Sequence, residues 1–306
     1  MNGYKTRWVV IVYLAVISGG LVFTAYTTYQ DYFIRWGTKN ELFTAFDAGV
    51  KAIGEYIAQI PQEESVYLSP TWGEHASLRL HSNQREDIRA YNGRHCFIFP
   101  QQTETPTSYI IVPHDDKNSL ALLQSYYPQG QSVYEGTIGA NDPYFTVYQI
   151  PSGVQVQFSA QVPMQANWDD QIELVGYDFA GNDLEPGAPV TINLYFKPLV
   201  DMSQNYIIFV HLWGEPDPES GNIIYGQQDR EPCFQSYPTS FWQVGEVVRD
   251  TFSFSIAPEV KTGTYRLAVG IYRWPELTRL PLLESNLASE GDAVILGEVQ
   301  IGDISP

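Results

Sequence analysis

Residues 8–26, WVVIVYLAVISGGLVFTAY, form the longest apolar stretch in the chain, and not one of them is charged. As a helix they span about 28 Å, close to the ~30 Å of a bilayer's hydrocarbon core. Trp8 stands at one end, and Tyr26, Tyr29, Tyr32 and Trp36 gather at the other, as interfacial aromatics do. A transmembrane anchor over 8–28 is predicted. A cleaved signal peptide is the competing reading, but its apolar core is shorter and ends in a small-x-small site, which VFTAYTTY lacks.

Beyond the anchor the periodicity changes twice. Phe43, Phe46, Val50, Ile53, Ile57 and Ile60 recur at three- and four-residue spacing, predicting an amphipathic helix that Pro61 ends. SVYLSP (65–70), HCFIFP (95–100) and SYIIVP (108–113) are short apolar runs that predict buried strands. Between them a helix is expected over 73–81, and another to Tyr127 with Asn118 as its cap. SVYEGTIG and PYFTVYQIP supply two more strands. Helices alternating with all-apolar strands predict a small α/β domain over 38–150 with a partly parallel sheet.

From 151 onward no helical period remains. VQVQFSA, IELVGYDF, APVTINLYF, NYIIFVHLW, NIIYGQQ, VVRDTFSFSI, GTYRLAVGIY and AVILGEVQIG are eight strand candidates separated by turn residues. The second domain, 151–306, is therefore predicted as an antiparallel β-sandwich, immunoglobulin-like or jelly-roll-like, hinged at Pro151–Ser152–Gly153. The fold class expected for the whole is α+β and multidomain.

Charge sets the orientation and excludes some partners. Lys5 and Arg7 are the only charges before Asp31, which places residues 1–7 in the cytoplasm and the bulk outside the cell membrane. Setting those two aside leaves all 35 acidic residues against 15 basic ones, a formal −20 beyond the anchor. Such a surface repels phosphate backbones, so nucleic acid is excluded as a partner. Aromatic residues make up 14 %, which suits β-sheet cores first and sugar binding second.

The chemistry legible in the sequence is sparse. There is no GxSxG, HExxH, P-loop or GxGxxG, and no cofactor is expected. His114–Asp115–Asp116 offers oxygen ligands for a cation, though an acidic loop before a helix explains it equally, and no metal is expected there. Cys96 and Cys233 would face an oxidising space that permits a bridge between the two domains, but two separate buried thiols are the expectation. The long connection 229–242 is the most unusual stretch. Its Asp229, Tyr237 and Trp242, with His211 and Arg279, are a candidate polar and aromatic ligand pocket. The competing expectation has Trp242 plugging the sandwich end and Asp229 paired with Arg279 or Arg230.

Several blocks in order carry a resemblance. DYFIRW, ELFTAFDAGVKAIGEYI, VYLSP and YNGRHCFIFP, then IELVGYD, NYIIFVHLWG, QQDREPCFQSYPTSFWQVGEVVRDTFSF and GTYRLAVGIYRWPELTRLPL, look like the outer C-terminal region of bacterial membrane glycosyltransferases of family 39, the protein-mannosyltransferase-like enzymes. LYFKP and HLWGEPDPES depart from the pattern. The resemblance implies outer domains without the multi-helix core that holds the family's catalytic acid and lipid-linked donor. A single helix cannot enclose such a donor site. The expected role is a noncatalytic interaction subunit docking onto a membrane or cell-envelope complex. An accessory glycan- or acceptor-binding module is the alternative, and a free-standing enzyme ranks last.

Overall fold

The computed structural model describes residues 2–36, 47–101, 104–138, 142–155, 158–181 and 183–302. Helix α1 (Asn2–Tyr29) is uninterrupted and passes into a π-helical turn, Gln30–Trp36. The span Arg7–Trp36 is long and apolar enough to cross a membrane, and none of it is buried by the rest of the chain. The hydroxyls of Thr24 and Thr27 donate to the carbonyls of Gly20 and Phe23 one turn back. Polar groups inside an apolar helix are thus satisfied within the helix itself.

The first unit holds α2 (Ala48–Ile57), β1 (Ser65–Ser69), α3 (Ala76–His81), β2 (Ile88–Ala90), β3 (Cys96–Phe99), β4 (Thr107–Ile111), α4 (Ser119–Tyr126), β5 (Gln131–Ile138) and β6 (Asp142–Ile150). Its five-stranded sheet runs β2-β1-β4-β6-β5, with β1 parallel to both neighbours and β4, β6 and β5 antiparallel. The apolar face of α2 packs Ile53 and Ile57 onto Val66, Leu68, Ile110 and Val147. Phe43 and Phe46, which belong to the same predicted stripe, lie outside the described residues. Helix α4 is not capped by Asn118. The Asp116 carboxylate accepts from the amides of Asn118 and Ser119 and from the Ser69 hydroxyl. An added Cβ at Gly93 would run into that carboxylate, so the close approach requires glycine.

The second unit supplies β7 (Val162–Trp168), β8 (Ile172–Phe179), β9 (Asp183–Leu184), β10 (Pro189–Pro198), β11 (Tyr206–Trp213), β12 (Ile224–Arg230), β13 (Val247–Ser255), β14 (Gly263–Arg273), β15 (Thr278–Arg279), β16 (Leu282–Ser285), β17 (Ser289–Glu290) and β18 (Ala293–Ile301). Two sheets result, β16-β7-β8-β10-β13-β3 and β12-β11-β14-β18-β17. Asp169 and Asp170, both with positive φ, make the tight turn between β7 and β8. VQVQFSA does not form a strand among its described residues, and the first strand falls instead on Val162–Trp168.

The boundary at 151 is crossed by the structure. β3 leaves the first unit's sheet and pairs antiparallel with β13, Phe99 opposite Val247 and Cys96 opposite Asp250. Strand alternation then splits the first sheet between two cores. Val66, Leu68 and Ile110 face the helices, while Tyr67, Tyr109 and Ile111 join β3, Trp168, Leu194, Phe252 and Val269 in one core common to both units. A fully buried Phe or Leu contributes roughly 1.5–3 kcal/mol, so this shared core is a main source of cohesion. A single substitution such as Phe97→Ala in its middle would cost about 3–5 kcal/mol.

Candidate functional site

The five residues singled out in the sequence fall into two separate places. On β11, Ile208, Val210 and Leu212 face the shared core, whereas Phe209 and Trp213 form a small cluster on the opposite face. His211 lies on that opposite face and is nearly buried. Its Nε2 is 2.7 Å from Asp229 Oδ1, and the Trp213 indole donates to Nδ1 at 3.3 Å. Because an indole N–H is only a donor, Nδ1 must accept, and the neutral ring carries its proton on Nε2. Burial, and then Asp229 beside it, push the Tyr272 hydroxyl up to about 12. The Arg279 guanidinium lies over the Phe209 ring, 4.9 Å from its centroid. Both His211 nitrogens are therefore occupied, and no proton-transfer partner remains free on this ring.

Tyr237 and Trp242 sit elsewhere, in the connection 229–242. Arg230 and Asp250 form a bidentate pair, both contacts at 2.9 Å, and Asp250 is completely buried. The guanidinium is also held between the rings of Phe234 and Phe252, at 4.4 and 3.9 Å. Asp250 further accepts from the Cys233 amide. Burial pushes its carboxyl up, while Arg230 pulls it down. Asp229 is thus paired with His211 and not with either arginine. Cys233, Phe234 and Gln235 follow one another with positive φ, an uncommon run for residues other than glycine.

The expectation of two free thiols is overturned at this turn. Cys96 and Cys233 form a disulfide, Cα to Cα 5.3 Å. The pairing of β3 with β13 brings the two cysteines together, a contact that sequence spacing cannot reveal. Trp242 is buried beside Phe196, its indole donating to the Tyr237 carbonyl.

A buried carboxylate joins the two units. Glu246, reached through a turn at Gly245, is 1 % exposed. It accepts from the hydroxyls of Tyr67 (2.6 Å) and Tyr237 (2.8 Å) and from the Gln243 amide (3.1 Å). Arg89 Nε stands 3.2 Å from Oε1, a charge contact without hydrogen-bond alignment. Burial pushes Glu246 up, and Arg89 opposes it. Burial first, then Glu246, push Tyr67 and Tyr237 well above the ordinary phenol value. Tyr67 and Arg89 come from the first unit and Tyr237 and Gln243 from the second, so the carboxylate fastens one to the other. Beside it opens a cleft of about 620 Å3 lined by residues of both units, Arg89 and Tyr237 among them.

The acidic motif 114–116 is spent on structure. Asp115 pairs with Arg94 and His114, and Asp116 caps α4. Among the described residues no group of three His, Cys, Asp or Glu side chains is placed to hold a metal. Asp250 had a readable signal, since it shares the inward face of β13 with Val248 and Phe252, and an acid there demands a cation. Glu246 and Arg89 carry no comparable local pattern.

No family model and no curated protein matches the chain. Among solved structures it is similar to a β-glucosidase from Listeria innocua in complex with glucose, at 15 % identity over 45 % of this chain, with a TM-score of 0.26. The chain spans only 16 % of that enzyme's length. It is also similar to the CARDB domain of a Pyrococcus furiosus protein in complex with di-metal ions, at 12 % identity over 47 % of this chain and 95 % of that one, with a TM-score of 0.25. Likenesses at this level fix neither fold type nor chemistry.

Proposed function

We propose that this chain is a noncatalytic, single-pass membrane protein whose outer units dock onto a membrane or cell-envelope protein complex. Residues 1–7 lie in the cytoplasm and the units beyond the anchor lie outside. The observation that carries this reading is the helical span Arg7–Trp36, apolar and long enough to cross a membrane and not buried by the rest of the chain. Such a surface requires lipid or other helices as its surroundings. The ionisable groups buried in the outer units support a noncatalytic role. Glu246, Asp250 and Arg230 are all consumed by internal pairs.

In the same reading the two antiparallel sheets form an immunoglobulin-like or jelly-roll-like sandwich, supported by the core that β8, β10 and β13 share with β11, β14 and β18. The outer units correspond to those appended to family 39 glycosyltransferases. The test is purification of the tagged chain from native membranes in mild detergent, with mass spectrometry of what accompanies it. Stoichiometric membrane subunits are expected. Recovery of the chain alone sinks the docking role.

A further inference from the structure

The cleft beside Glu246 has a floor, a wall and a neighbour that together suit one chemical class. Its floor includes Arg89, whose side chain is 18 % exposed. Glu246 and the Gln243 side chain hold this guanidinium in place through Nε and Nη2, and Nη1 has no partner among the described residues. A held guanidinium with a spare donor thus lines the cleft. Its wall is the short turn Thr239–Phe241, in which Thr239 and the following Trp242 are buried while the Phe241 ring is 54 % exposed. A ring held out to water by a turn that is otherwise anchored is a flat, preorganised apolar surface. Asp201, exposed and without a partner among the described residues, adds an acceptor.

A second groove of about 490 Å3 shares Ser240 with the cleft and carries the exposed Trp274. Each of the two adjoining grooves therefore holds one exposed ring together with donors and acceptors. The charges select against an anionic ligand. Arg79 pairs with Glu74 and more distantly with the exposed Glu86, Arg85 with Asp87 and Arg89 with Glu246, so Asp201 and one rim carboxylate are left over and the surplus is acidic. What is left is a hydrogen-bonding surface with ring platforms that repels anions.

We infer that this surface binds a neutral oligosaccharide, whose C–H faces stack on Phe241 and Trp274 while its hydroxyls meet Arg89, Asp201 and the Gln243 amide. Alternating polar and apolar faces are the property that sugars present and that such a surface matches. The site deepens the accessory glycan-binding role weighed from the sequence and is independent of docking onto membrane subunits.

The experiment is calorimetric titration of the full chain in lipid nanodiscs, which avoids detergents with sugar headgroups. The probes are cellohexaose, maltohexaose, mannohexaose and chitohexaose, with hexagalacturonate as the anionic control. Saturable binding of at least one neutral hexamer is expected, weakened about tenfold in Phe241→Ser and in Trp274→Ser, with hexagalacturonate silent. Both substitutions change exposed side chains, and an unchanged melting temperature confirms that each variant is folded. Silence with every neutral hexamer overturns the inference, as does preferred binding of the anion. Binding that is unchanged in both variants places any sugar site elsewhere and overturns it equally. Partner recovery from membranes, measured on the same variants, reports separately on the docking role.

Discussion

Cys96, the first residue of β3, is bonded to Cys233 in the left-handed turn after β12, across 137 residues of sequence. The same seam is closed by the β3–β13 pairing and by the Asn92 amide donating to the Ser236 hydroxyl. Replacing both cysteines with serine is expected to cost about 2–5 kcal/mol, read as a lower urea midpoint. A double variant with the parental midpoint would mean that the paired strands alone hold the seam.

Arg230 and Asp250 make the second prediction. Arg230→Met leaves a buried carboxylate without its partner and is expected to cost about 3–5 kcal/mol. Adding Asp250→Leu should recover much of that loss, because two apolar side chains replace a desolvated pair. Urea denaturation of the two single variants and the double gives the coupling. Strictly additive losses would show that the pair is not coupled.

Glu246 tests whether burial or pairing dominates at the seam. Its folded-state pKa is raised, so its contribution to stability is fully present below the unfolded value and is lost as pH rises through the folded one. The difference in melting temperature, Glu246→Gln minus parent, should therefore move in the variant's favour between pH 4 and pH 7. Movement in the opposite direction would mean that Arg89 and the tyrosine hydroxyls outweigh desolvation.

His211 offers a spectroscopic check. Long-range proton–nitrogen correlation should find the neutral ring protonated at Nε2, hydrogen-bonded to Asp229. Trp213→Phe strips Nδ1 of its donor and should cost about 1–3 kcal/mol. A ring protonated at Nδ1 would contradict the arrangement.

The elements were largely legible, and their partners were not. IELVGYDF announces β8 residue for residue, and Ile53 and Ile57 point inward as their spacing predicts. Periodicity reports which face of a segment is buried, so it found the strand Cys96–Phe99 within HCFIFP, all four residues of it inside. It cannot report which sheet receives that strand, because an all-apolar run has no face to match. The same blindness grouped His211 with Tyr237 for their chemistry, although His211 lies on the outer face of β11 and Tyr237 is buried in the shared core. The disulfide follows from the misplaced strand, and so does the Glu246 network.

The migration of β3 also sets an order of events. Phe99 must wait for Val247 before its backbone is paired, so during synthesis an entirely apolar strand stays unmatched until most of the chain has been made. A fragment beginning after residue 151 would offer the bare flank of β13 to any strand it met, an invitation to aggregation. The two units are thus one inheritance, to be truncated, expressed or grafted together.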